Sequence, residues 1–173
     1  VNTFIGTSSM GHVFPGACVP HGGVQLSPDT EAAPFYRDGK YNSETYRYCA
    51  GYQYGDPTIV GFSHTHLSGT GHSDLGDILM MPTSGEVSLE PGTVENPGYR
   101  SRFSHATEKA VPGYYEVYLE DSGVKAQLTA TKRTGVHKYT FRDGADQHLI
   151  MDLGYGIYNY EGKTRWTDVR VEN

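Results

Sequence analysis

The chain has 173 residues, enough for one domain with a real core or for part of a larger one, and its 14 basic and 20 acidic residues give a net charge of −6. That balance excludes a nucleic-acid groove: Lys125, Lys132, Arg133, Lys138 and Arg142 are scattered among strand-like segments as a solvated face rather than clustered. No apolar run approaches the roughly 18 residues needed to cross a membrane, and the opening Val1-Asn2-Thr3-Phe4-Ile5-Gly6-Thr7 reads as structured sequence rather than as a signal peptide.

Composition points to strands. There are 22 Gly and 14 Tyr, and glycine punctuation with many aromatics favours short strands and tight turns over helices. Two cysteines, Cys18 and Cys49, leave one disulfide open, although free buried thiols are the plainer expectation.

In chain order, Val24-Gln25-Leu26 reads as a short strand. Residues 27–56 form a long loop rich in Tyr and Gly, and loops of this length inside a domain are usually functional or disordered. Phe35, Tyr36, Tyr41, Tyr46, Tyr48, Tyr52 and Tyr54 argue against disorder. Ile59-Val60-Gly61-Phe62 is the next strand, and Asp77-Ile78-Leu79-Met80-Met81 another, stopped by Pro82. Beyond it the alternation is clear at Tyr115-Val117-Leu119 and Val124-Ala126-Leu128-Ala130, joined by a turn at Asp121-Ser122-Gly123. His137-Tyr139-Phe141 and Leu149-Met151-Leu153 follow, separated by the turn Arg142-Asp143-Gly144. Trp166-Thr167-Asp168-Val169-Arg170-Val171 reads as a strand still in progress, as in one piece of a larger assembly. Closely spaced strands of this kind indicate an all-β fold, an antiparallel β-sandwich.

The chemistry-bearing residues concentrate at 61–77, where two histidines, small hydroxyl residues and alternating glycines interrupt an apolar run. On a strand, His64 and His66 would share a face, and with His72 or Asp74 they could bind zinc. Alternatively they hydrogen-bond beside a polar site. Asp74 and Asp77 could serve as acid and base, bind calcium, or cap turns. Gly69-Thr70-Gly71 is followed by no lysine and no helix, so it reads as glycine that lets backbone approach a ligand or another backbone closely. Ser63 and Ser68 lie near histidines but lack the Gly-x-Ser-x-Gly elbow of a serine hydrolase. Upstream, His12 and His21 flank a proline-rich stretch, and Asp29 follows a strand as either a ligand-facing carboxylate or an Asx-turn cap.

Taken together, Val1 to Thr7 with His12-Val13-Phe14-Pro15-Gly16-Ala17, Val24 to Thr30, Cys49-Ala50-Gly51-Tyr52-Gln53-Tyr54, and the 61–79 run closely resemble the N-terminal domain of the glycoside hydrolase family 92 α-mannosidases. The match covers most of residues 1–83. The resemblance implies a calcium-dependent, exo-acting enzyme that removes terminal α-linked mannose with inversion, using one carboxylate as acid and another as base on a water. It implies a supersandwich-like N-terminal β-sandwich, here residues 1–173 or part of it, and a C-terminal (α/α) barrel that carries the acid, the base and most of the calcium site. Partners would be a mannose-containing glycan and that barrel domain, with no nucleic acid and no membrane span. The location would be periplasmic or secreted.

No catalytic residue and no metal ligand is expected in this chain. The expected substrate-binding residues are Tyr46, Arg47, Cys49, His64, His66 and Asp29. Family members commonly place Trp three residues before the motif cysteine, with Asp after it; here those positions are Tyr46 and Arg47. A phenol stacks less area than an indole, and a guanidinium could bind an anionic group on a sugar. His64, His66 and the 69–71 loop would face the domain interface. The other readings open from sequence are a stand-alone carbohydrate-binding module and a metalloenzyme using His64, His66 and Asp74.

Overall fold

In the computed structural model, all residues are described except 32, 70, 73, 159, 161 and 173. Thr70 and Ser73 of the glycine-rich run therefore lie outside the described residues. Two antiparallel sheets pack face to face. The first has five strands in the order β1 (Ala17–Cys18), β2 (Gln25–Asp29), β6 (Gly61–Ser63), β7 (Leu79–Ser84), β13 (Gln147–Asp152). The second runs β12 (Gly135–Thr140), β11 (Val124–Ala130), β10 (Tyr114–Leu119), β9 (Lys109–Val111). Two small pairs flank them: β3 (Tyr36–Arg37) with β4 (Lys40–Tyr41), and β5 (Thr58–Ile59) with β8 (Ser101–Arg102).

The core is what the alternation dictates. Tyr115, Val117 and Leu119 on β10 and Val124, Ala126, Leu128 and Ala130 on β11 face inward against Leu26, Phe62, Leu79 and Met81 of the first sheet. Each fully buried Leu, Val or Phe contributes about 1.5–3 kcal/mol. The 121–123 turn joins β10 to β11, with Gly123 at φ 65. The 142–144 turn is not a hairpin, because β12 and β13 belong to different sheets.

Four strand expectations change. Residues 59–62 are split between β5 and β6, which pair with different partners. β7 runs through Pro82 to Ser84, opposite Leu149 of β13. β6 pairs with β7 only at Met80, so beyond that point β7 is an edge on one side and a missing N–H costs no ladder bond there. On β13 the inward residue is Ile150, while Leu149 and Met151 lie exposed on the opposite face. Residues 166–171 form no strand, and Trp166, Val169 and Val171 are exposed.

The 27–56 loop carries the main irregular element, a 3-10 helix at Ser43–Tyr48. Asn42 caps it: its side chain accepts from the Glu44 N–H at 3.2 Å and donates to the Pro34 carbonyl at 2.9 Å. Glu44 in the first turn and Arg47 in the last suit the helix ends.

Candidate functional site

Tyr46 of the 3-10 helix, His12, Gly69 and Gly71 meet at one surface. Tyr46 leaves the helix 42% exposed, with its ring edge-on to His12 at a centroid distance of 5.1 Å. The Gly69 N–H donates to the His12 carbonyl at 2.7 Å. A Cβ on Gly71 would lie 2.1 Å from the Tyr46 hydroxyl oxygen, so a larger residue there would push the Tyr46 ring aside. His12 is buried, takes a left-handed φ of 49, and its Nε2 has no hydrogen-bond partner among the described residues. The strained backbone and the unpartnered ring nitrogen, next to an exposed aromatic, mark this surface as the candidate site.

The motif cysteine supports that surface from behind. Cys49 Sγ donates to the Tyr46 carbonyl at 2.9 Å and takes a hydrogen bond from the Tyr158 hydroxyl, also at 2.9 Å. Burial pushes the thiol pKa up, with the Tyr158 bond pulling partly back. Cys49 is therefore a neutral thiol that positions Tyr46 rather than a nucleophile. Both cysteines are free. Arg47 turns away from Tyr46: it donates to the Tyr48 hydroxyl at 2.9 Å and lies 3.8 Å from Asp56. Gln53 ties the segment down, donating to the Ser9 carbonyl at 3.0 Å.

Beneath the surface lies a polar knot. Asp29, Ser63 and His66 are all buried. A carbonyl only accepts, so His66 Nδ1–H donates to Gln25 O at 2.7 Å. Its Nε2 is then 2.9 Å from Asp29 Oδ1 and 3.2 Å from Ser63 Oγ. A neutral imidazole would aim a lone pair at the carboxylate, so the pair shares one proton between Nε2 and Oδ1. Ser63 and Asp29 compete for the same ring nitrogen, whereas a hydrolase triad places them on opposite ones. The arrangement is a structural clasp and not a nucleophile relay. Gly51 completes it: at φ 80, a Cβ there would lie 2.0 Å from Asp29 Oδ1 and 3.0 Å from the His66 ring.

The six expected binding residues are thus sorted by depth. Tyr46 faces outward. Arg47 and Cys49 hold its helix. Asp29, expected as a ligand-facing carboxylate or a turn cap, is wholly buried against His66 because β2 carries it into the core. His64 and His66 do not share a face, since β6 ends at Ser63 and the backbone turns. His64 points to the Ile78 carbonyl at 2.7 Å and to His137, while His66 turns to Gln25 and Asp29. Asp77 accepts from Thr65 Oγ1 at 2.6 Å, a turn-stabilising role, and Asp74 is exposed.

Three functional positions are not visible in the sequence. Tyr158 is more than a hundred residues from the thiol it meets, and no local pattern links them. Glu108 anchors the motif residue Tyr52 at 2.9 Å and Tyr115 at 2.6 Å. His12 as a partner of Tyr46 follows only from the tertiary fold. Among the described residues no cluster of three or more His, Cys, Asp or Glu could hold a metal ion. The isolated buried oxygens Asp29 Oδ2 and Asp56 Oδ2 do not make a calcium cage.

The chain is thus an antiparallel β-sandwich domain that presents an exposed aromatic and two glycines at one surface, with Asp29 locked in a buried clasp. The chain matches the glycosyl hydrolase family 92 N-terminal domain over residues 1–173 and belongs to that family. It is 46% identical to a family GH92 α-mannosidase from Bacteroides thetaiotaomicron solved in complex with mannoimidazole, with a TM-score of 0.82 over 91% of this chain and 20% of that one. It is 26% identical to a family GH92 inverting mannosidase from Bacteroides thetaiotaomicron VPI-5482, with a TM-score of 0.61 over 85% of this chain and 18% of that one. An uncharacterized secreted glycosidase of Arthroderma benhamiae is 28% identical over 151 residues, 82% of this chain and 17% of that protein. The chain therefore spans about a fifth of the length of these relatives.

Proposed function

We propose that this chain is the pocket-shaping, non-catalytic portion of an exo-acting α-mannosidase that releases terminal α-linked mannose with inversion. Family membership and the activities of two structural neighbours, an α-mannosidase and an inverting mannosidase, support the reaction class. The observation that carries the local role is the Tyr46–His12–Gly71 surface, an exposed aromatic over a strained histidine with an unpartnered nitrogen. Tyr46 would stack on the leaving-group sugar, with the buried His12 ring set edge-on behind it.

In this reading the acid, the base and calcium belong to a catalytic barrel outside this chain, and calcium would be held there by oxygen ligands. An apolar cleft of about 580 Å³ lies beside the site, lined by Ile5, Val13, Phe14, Pro15 and Pro20, with Ser68 from the glycine-rich run. It offers that barrel a docking face. Secretion or periplasmic export fits a glycan substrate outside the cell. The test is to incubate the whole protein with an α-mannoside and follow the anomer first released by NMR. Inversion gives β-mannose first. Release of α-mannose first, or of no mannose, contradicts the proposal.

A further inference from the structure

His64 and His137 meet across the two sheets and take no part in the Tyr46 surface. His64 follows β6 of the five-stranded sheet, and His137 lies on β12, an edge of the four-stranded sheet. Both are half-buried, and their Nε2 atoms are 3.0 Å apart. The outer nitrogens are held in place: His64 Nδ1–H donates to the Ile78 carbonyl at 2.7 Å, and His137 Nδ1 is 2.7 Å from the Tyr139 hydroxyl. Ile78 takes a φ of 55, rare for a β-branched residue, so the carbonyl that orients His64 is presented at a local backbone cost. A Cβ on Gly135 would lie 2.7 Å from His64 Cδ2 and 3.0 Å from its Nε2, so glycine keeps the space the ring occupies.

We propose that His64 and His137 form a two-imidazole chelating site for a borderline divalent cation such as zinc or copper(II), which ties one sheet to the other. Metal-binding histidines usually donate their second ring N–H to a carbonyl or similar acceptor, and His64 already does. In the metal-free protein His137 Nε2–H donates to His64 Nε2, and His137 Nδ1 accepts from Tyr139. Moving the His137 proton to Nδ1, with the Tyr139 oxygen now accepting, leaves two converging lone pairs and obliges the Tyr139 O–H to turn to another acceptor.

The spacing is nearly right as it stands. Zinc at about 2.05 Å from both nitrogens, in tetrahedral geometry, sets them roughly 3.3 Å apart, so the pair opens by only about 0.3 Å. Burial, and then the neighbouring His64, lower the His137 pKa to about 4. It is therefore neutral, as a ligand must be, at neutral pH. No third His, Cys, Asp or Glu joins the pair among the described residues, so waters complete the shell and the cation exchanges with solvent.

The experiment uses untagged, chelator-treated protein labelled with ¹⁵N, titrated with zinc chloride and followed by long-range ¹H–¹⁵N imidazole spectra. One equivalent shifts Nε2 of His64 and His137 together and converts His137 to its Nδ1–H tautomer. Calcium chloride leaves both unmoved, because a hard cation prefers oxygen. Zinc also raises the Tm, and H64Q and H137Q each weaken binding by about ten-fold or more. Shifts confined to other histidines, an unchanged His137 tautomer, or a Tm rise that survives in both variants overturns the proposal. Should either variant fail to fold, the tautomer reading in the unmodified protein decides.

Discussion

Gly51→Ala drives a methyl group into the Asp29–His66 clasp. Two costs act at once. The native φ of 80 is a left-handed conformation, which costs a residue with a Cβ about 1–2 kcal/mol. The new Cβ would also stand 2.0 Å from Asp29 Oδ1 and 3.0 Å from the His66 ring. Overpacking of a buried site costs about 1–3 kcal/mol, and more if the carboxylate is pushed off the His66 ring. The expected loss is about 3–5 kcal/mol, a large share of the roughly 5–15 kcal/mol that stabilises a domain. Gly39 is the matched control: its φ is 71 and nothing lies within 4 Å of the place a methyl group would take, so Gly39→Ala carries only the conformational cost. Urea unfolding of both variants measures the difference, expected at about 2 kcal/mol or more in favour of Gly39→Ala. Equal losses in the two variants would refute the clasp as a tightly packed buried pair.

Other outcomes follow from the same geometry. Tyr46→Ala removes the exposed ring without touching the core, so kcat/KM of the whole protein on an α-mannosyl disaccharide should fall about five-fold, for the loss of about 1 kcal/mol of stacking. An unchanged value would detach Tyr46 from the substrate. Cys49→Ala removes the hydrogen bonds at Tyr46 O and the Tyr158 hydroxyl, and thermal unfolding should show a loss of about 1–2 kcal/mol. Asp121 accepts from the Arg102 backbone at 2.7 Å and side chain at 2.9 Å, and these contacts hold its carboxyl below the usual range. A depressed carboxylate stabilises the fold above its unfolded value, about 3.9, and loses that contribution as pH falls through its folded value. Arg102→Ala should lower stability at neutral pH and flatten the acid limb, with variant and parent converging once Asp121 is protonated in both.

The strands with one buried face were legible because period two is written into them. Val124, Ala126, Leu128 and Ala130 alternate with Lys125, Gln127 and Thr129, and the structure buries the first set. Leu149 and Met151 misled for the same reason: β13 is an edge strand, and its apolar residues line the outer face while Ile150 packs inward. The hairpin between β3 and β4, which turns at Asp38-Gly39 with both at positive φ, falls inside a stretch read from sequence only as a long loop. The site was legible only in part. The blocks around Cys49 and His66 marked where polar groups gather, yet their depth depends on β2, which carries Asp29 from an expected ligand position into the core. Pairings such as Cys49–Tyr158 and His64–His137 are set by sheet order, which no local spacing encodes.

The central claim is a division of labour, with this chain shaping the pocket and the acid–base chemistry lying elsewhere. It is tested most directly by assaying residues 1–173 alone on an aryl α-mannoside with calcium chloride. The account predicts no turnover above the uncatalysed rate. Turnover comparable to that of a full-length family member would contradict it.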